Sequence, residues 1–214
     1  SRSPARKLAE TDPSFARINL DFMFKFVKSS LRVAGGTARG RRLKGTISPE
    51  ARPTTERVRA AIFNIIGPDL YHEGRVLDLY AGSGSLGIEA LSRGASWADF
   101  VEQDRRQCGV IQSNLENVEL GSHGSVHCGP VEGTLGSLAG PYQLVLLDPP
   151  YRLQTLGEVL EEIGSVNGLI DQGGMVVAGH SRHLTLLPEY GRLRLVSHRR
   201  YGDNLVDFYR LEID

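Results

Sequence analysis

The chain has little of what marks several common protein classes. Its 214 residues include two cysteines, two methionines and one tryptophan, and 25 Lys/Arg are balanced by 25 Asp/Glu. Cys108 and Cys128 are too few and too isolated for a disulfide framework or a four-ligand zinc site, which fits a reducing, cytoplasmic setting and two small core residues. No apolar run approaches the roughly 20 residues of a membrane span. The stretch "LDFMFKFV" near the start is cut by Lys25 and followed by Lys28, so no membrane contact is expected. No low-complexity tract or fixed-period repeat is visible, which argues against disorder, solenoids and fibres. His180 and His183 lie three apart with no acidic or thiolate partner spaced to match; they read as surface or turn histidines, and no metal site is expected. The length suits one α/β domain with a small appendage, expected as a monomer.

The zero net charge hides an asymmetry. Residues 1–60 hold 14 Lys/Arg against 5 Asp/Glu, and the remainder 11 against 20. Within the basic front, Arg32, Arg39, Arg41, Arg42, Lys44, Arg52, Arg57 and Arg59 fall close together, the footprint of a polyanion binder.

Residues 1–30 lack periodicity and are expected to be mobile, either a leader or an added segment, with no function assigned to them. "LRVAGG", "TARG" and "RRLKG" read as strand, turn and returning strand, a basic hairpin extension spanning 31–54 with arginines on exposed positions. The helix beginning after Pro53 takes Thr54 or Thr55 as N-cap, and Val58, Ala61, Ile62 and Ile65 form its apolar face. From 55 to 214 one domain follows. Strands are expected at 75–80, 97–102, 125–129 and 143–148, with helices near 85–93, 104–118 and 131–138, the rhythm of an open parallel sheet. A helix near 154–166 leads to a fifth strand at 174–179, and the tail folds as an antiparallel hairpin about Gly202-Asp203-Asn204.

"DLYAGSGSLG" at 78–87 spells G-x-G-x-x-G, a weak signal by itself because glycine turns also serve simply to bend the chain. Its context strengthens it. Glu102 ends the second strand about twenty residues on, where a carboxylate can accept hydrogen bonds from ribose hydroxyls. Asp78 would repel a pyrophosphate but suits the cationic methionyl end of S-adenosyl-L-methionine. Gly82 and Gly84 allow backbone approach to the ligand, and Gly129-Pro130-Val131 after the third strand sits where an adenine would stack.

"LVLLDPPY" at 144–151 places Asp148 at the carboxyl end of a buried strand, followed by two prolines that donate no hydrogen bond. An array of acceptors without donors suits an NH2 group. Acceptors at Asp148 and the Pro149 carbonyl can bind both N–H bonds of an aromatic amine and favour the pyramidal nitrogen that attacks a methyl sulfonium. Tyr151 offers a face for a base turned out of its helix.

These segments, with "VEQD" at 101–104, "RVAGGTARGRRL…RPTTERVRAAIFNII" at 32–66 and the terminal "RRYGDNLVDFY", resemble the RsmD family over residues 31–213. The resemblance implies a Rossmann-like S-adenosylmethionine-dependent methyltransferase fold, with a mostly parallel seven-stranded sheet closed by a terminal antiparallel hairpin and preceded by a small N-terminal hairpin. It implies methylation of a guanine N2 in small-subunit (16S) ribosomal RNA, either free or in the assembling 30S subunit. The cofactor site would be Asp78, Tyr80, Gly82, Gly84, Glu102, Gly129 and Val131; the target-amine site Asp148, Pro149, Pro150 and Tyr151; and the RNA-binding residues Arg39, Arg41, Arg42, Lys44 and Arg52. The chain departs from the family at Gly179, where a glutamate is common. Two other readings of these residues stand beside this one: an adenine-N6 or cytosine-N4 DNA methyltransferase using the same acceptor logic, and a non-catalytic RNA-binding assembly factor.

Overall fold

The computed structural model describes residues 31–45, 55–150 and 153–213. The expectations for residues 1–30 and for Arg52, Pro53, Thr54 and Tyr151 lie outside those residues.

Helix α1 (Glu56–Ile66) starts at Thr55, whose side chain accepts the Val58 N–H. Its buried stripe is Arg59, Ile62 and Phe63, about one residue round from the expected face. Phe63 packs edge-on against Tyr71 with ring centroids 5.4 Å apart, and this leaves Ile65 39% exposed.

Strands β1 (Arg75–Leu79), β2 (Trp97–Glu102), β3 (Gly124–Cys128) and β4 (Tyr142–Leu147) alternate with helices α2 (Ser85–Ser92), α3 (Arg105–Asn117) and the short α4 (Val131–Thr134). α5 (Leu156–Ser165) then leads to β5 (Ile170–Ser181), β6 (Glu189–Tyr190), β7 (Leu193–Tyr201) and β8 (Asn204–Leu211). The sheet runs β3-β2-β1-β4-β5-β8-β7-β6, parallel through β5 and antiparallel beyond it. Among the described residues it has eight strands rather than seven, because the two-residue β6 adds an edge too short to leave an alternating pattern. β5 is also longer than expected, beginning at Ile170.

β1 and β4 show why the parallel strands read as apolar runs. Four of five and five of six residues are buried, because helices cover both faces of the sheet. One face packs Phe100, Leu146 and Phe208 under α1, α2 and α3. The other packs Leu77, Leu147 and Tyr209 against Leu156, Leu160 and Ile163 of α5.

The basic hairpin forms, with one bridge from Arg32 to Arg42 and the Leu43 N–H donating to the Leu31 carbonyl at 2.8 Å. It is docked rather than projecting. Val33, Ala38 and Leu43 join the first core, and Ser92 and Asn114 bond its backbone at Ala38 and Lys44.

Two expectations need correction. Cys108 and Cys128 are disulfide-bonded, with Cα atoms 6.2 Å apart, and only Cys108 is buried. The β2–α3–β3 crossover returns the chain beside itself, a proximity that twenty residues of separation conceal. His180 is buried, not a surface residue, and bonds Asp207 at 3.2 Å; His183 is exposed.

Candidate cofactor and target-amine site

Strand order reverses between β1 and β4, and the residues at the carboxyl ends of β1, β2 and β4 meet along that edge. The glycine turn is built as its spacing requires. Gly82 and Gly84 have φ of 55° and 73°, a region that side chains resist, and Gly84 is the N-cap of α2. A Cβ on Gly87 would stand 2.4 Å from the Phe100 ring, so glycine there lets α2 lie on the sheet.

Three carboxylates share this edge. Asp78, 1% exposed, accepts the Gly87 N–H at 2.8 Å. Glu102 accepts from Gly82 N–H through one oxygen and from Asp104 N–H through the other, both at 2.9 Å. A carboxylate has about four lone-pair sites, so Glu102 keeps acceptor capacity for a diol. Asp148 follows β4 and is half-buried. Burial pushes the Asp78 carboxyl well above the usual carboxylate range, the Gly87 bond opposes this, and the charges of Asp148 and Glu102 raise it further. Negative charge is thus concentrated at the edge, and a bound cation would relieve it.

Further expected cofactor residues gather round this cluster. Gly129 N–H donates to the Glu102 carbonyl at 3.0 Å, and Val131, 3% exposed, opens α4. Tyr80 adopts a positive φ of 57°, and its hydroxyl donates to Glu132 at 3.2 Å. Burial first, and then Glu132, raises the pKa of that hydroxyl.

Asp148 and Pro149 line a cleft whose walls include Val58 and Ile62 of α1, Leu86, and Val206 of β8. Gly179 is beside them. A Cβ there would lie 3.0 Å from Asp148 Oδ1, so the missing side chain leaves room against that oxygen. Pro150 is exposed.

The basic hairpin lies elsewhere. Thr37 N–H donates to the Ser92 carbonyl at 2.7 Å, and Arg41 donates to the Asn117 carbonyl at 3.3 Å and pairs with Glu119 at 3.0 Å. Ser92 and Asn117 end α2 and α3, which run back from the carboxyl edge, so Arg39, Arg41 and Arg42 sit toward the opposite edge of the sheet. Lys44 reaches Ser113 at 2.7 Å.

Sequence reasoning misplaced Arg59. The spacing assigned it to the polyanion-binding cluster, yet it is wholly buried, with Nε 3.9 Å from Glu89 Oε2 and a guanidinium nitrogen donating to the Arg32 carbonyl. Desolvation lowers its pKa against the pull of Glu89, Glu56 and Asp148. Glu89, also buried, accepts the Ala34 N–H and Arg93 Nε–H, both at 2.7 Å, and so ties the hairpin to α2. The partner of Arg59 could have been suspected from Glu89, the one charged residue on the helix Ser85–Ser92.

The profile of the family described as Conserved hypothetical protein 95 matches residues 31–210. The Bacillus subtilis protein YlbH is 38% identical over 183 residues, covering 84% of this chain and 98% of its own. The Ribosomal RNA small subunit methyltransferase D of Escherichia coli is 37% identical over 142 residues, 66% of this chain and 71% of its own. Among solved structures, the Escherichia coli protein yhhF superposes with a TM-score of 0.75 at 29% identity, over 87% of this chain and all of that one. A likeness of fold alone extends to an RNA methyltransferase from Salinibacter ruber in complex with S-adenosyl-L-homocysteine, with a TM-score of 0.59 at 15% identity over 76% of this chain and 95% of that one. The sheet described above is therefore the Rossmann-like fold of S-adenosylmethionine-dependent methyltransferases, and the chain belongs to the Conserved hypothetical protein 95 family, that of the RsmD methyltransferases.

Proposed function

We propose that this chain methylates ribosomal RNA of the small subunit, at the exocyclic N2 amine of a guanine, using S-adenosyl-L-methionine. The observation that carries this reading is the meeting of Asp148 with Asp78 and Glu102 at the carboxyl edge of the sheet, an acceptor for an amine beside a bowl of negative charge.

The bowl fits a cationic cofactor. Asp78 has its carboxyl raised by burial first and then by two neighbouring carboxylates, a cost that positive charge on the ligand would offset. Glu102 would take the ribose hydroxyls, and the backbone of Gly82 and Gly84 would border the amino-acid end. When bound, the cofactor supplies an electrophilic methyl group. Asp148 and the Pro149 carbonyl would accept the two N–H bonds of the target amine, hold its lone pair out of the aromatic ring, and aim it. Asp148 would then take the proton released from nitrogen. Tyr151 would stack on the extruded base. Arg39, Arg41, Arg42 and Lys44 would hold RNA phosphates away from the reacting centre, and Arg52 would add a further phosphate contact; Arg39 and Arg42 are exposed and have no carboxylate partner among the described residues.

Asp148→Ala should abolish labelled methyl transfer to small-subunit RNA while leaving cofactor affinity within a few-fold, because the cofactor carboxylates remain. Retained turnover would sink the role of Asp148. Nucleoside analysis of the product, with DNA offered in parallel, separates guanine N2 from adenine N6 or cytosine N4.

A further inference from the structure

The register of the sheet carries the site outward to the tail hairpin. Leu147 pairs with Ala178, so Asp148 is level with Gly179; Gly179 pairs with Val206, and Val206 pairs with Arg199. Asp148 and Arg199 thus share one row across four strands, with backbones roughly 14 Å apart at about 4.8 Å per strand spacing. Directly opposed residues of an antiparallel pair project to the same face. Arg199 therefore shares the face of Val206, and Tyr201 that of Asn204, and both Val206 and Asn204 wall the cleft at Asp148.

The charge at this end of β7 is uncompensated. Arg199 and Arg200 are exposed, and they donate only to backbone carbonyls, of His198 and Gly202 respectively, each at 2.9 Å. Neither has a carboxylate partner among the described residues. At the other end of the same strand Arg194 is satisfied, 3.1 Å from Glu212 and 3.6 Å from Glu189. The three carboxylates of the cofactor edge repel a phosphate backbone, so a substrate of that charge needs cations on the rim to approach them. A guanidinium suits this task because its rigid fork of donors matches phosphate oxygens.

We propose that Arg199 binds the RNA phosphates adjoining the nucleotide held at Asp148; Arg200, which pairs with Leu205 and so projects to the other face, adds positive charge at the same strand end. The N-terminal hairpin lies toward the other edge of the sheet, so the tail hairpin is the grip nearest the target. This proposal rests on the reading of Asp148 as the target-amine residue.

Binding of a small-subunit rRNA transcript to the wild type, Arg199→Gln, Arg200→Gln and the double variant is measured between about 50 and 200 mM salt. Each lost contact should flatten the log–log salt slope by about 0.7–0.9. The double variant should also show a raised KM for RNA, with kcat at saturating RNA and the affinity for S-adenosyl-L-homocysteine retained. Arg194→Gln, on the same strand, should leave the slope unchanged. An unchanged slope in the double variant overturns the proposal while leaving the methyltransferase reading standing. A wild type whose RNA binding depends on these arginines, yet which transfers no methyl group, supports the contact and defeats the methyltransferase reading alone.

Discussion

Replacing Asp78 with asparagine should make the cofactor-free protein more stable and a worse binder of cofactor. The side chain is 1% exposed, and its bond to Gly87 N–H at 2.8 Å needs only an acceptor oxygen, which asparagine retains. What the change removes is a carboxyl whose ionisation is opposed first by burial and then by the charges of Asp148 and Glu102. The folded carboxyl has a raised pKa. Its contribution is therefore most favourable below the unfolded value of about 3.9, and is lost as pH rises from there through the folded value. At neutral pH we expect Asp78→Asn to gain on the order of 1–3 kcal/mol, the usual penalty of a buried polar group whose partners do not fully compensate it. For a domain of this size 1 kcal/mol is worth about 2–4 °C in Tm. Thermal unfolding of both proteins across pH is the assay. The gap should be small near pH 4, widen as pH rises through the folded value and then level off, and S-adenosyl-L-homocysteine titrations should show weakened binding. A variant less stable at neutral pH, or a gap independent of pH, would refute the idea that Asp78 holds uncompensated charge for the ligand.

Arg59→Met should cost about 1.5–3 kcal/mol in urea unfolding, because it removes one of the two cations at buried Glu89 and the bond to the Arg32 carbonyl, while Arg93 stays paired. A loss below 1 kcal/mol would mean that Arg93 alone compensates Glu89. Tyr142→Phe should cost about 1.5–3 kcal/mol, the worth of a hydrogen bond to a charged group, since Tyr142 donates to Asp99 at 2.7 Å. Burial pushes the Asp99 carboxyl up, but bonds from His127, Tyr142, Trp97 and Arg75 together hold it below its usual value. The stability those bonds supply is present above the unfolded pKa and lost as pH falls through the folded one. The cost of Tyr142→Phe should therefore shrink in acid, as followed by unfolding at graded low pH.

Much of the fold was legible because each parallel strand is apolar on both faces and each crossover helix has its own periodicity. The glycine turn was legible for a related reason: Gly84 with φ 73° and Gly87 against Phe100 are positions where a side chain is excluded by backbone geometry or contact. The two-residue β6 and the early start of β5 were not legible. The first is too short for a pattern, and the second crosses glycines that weaken one.

Local chemistry determined, from the sequence by itself, the motifs: an acidic strand end, a glycine turn and Asp-Pro-Pro-Tyr are each a contiguous stretch with its own steric and hydrogen-bonding logic, and we propose that they serve one site. Tertiary structure alone decided which charges face solvent. Arg59 and Arg199 are alike as residues in a basic stretch, yet one is sealed against Glu89 and the other stands exposed in the row of Asp148. Burial and pairing are set by elements far apart along the chain, so no local pattern records them. The same holds for Cys108 with Cys128 and for His180 with Asp207, pairs made by a crossover and by strand register.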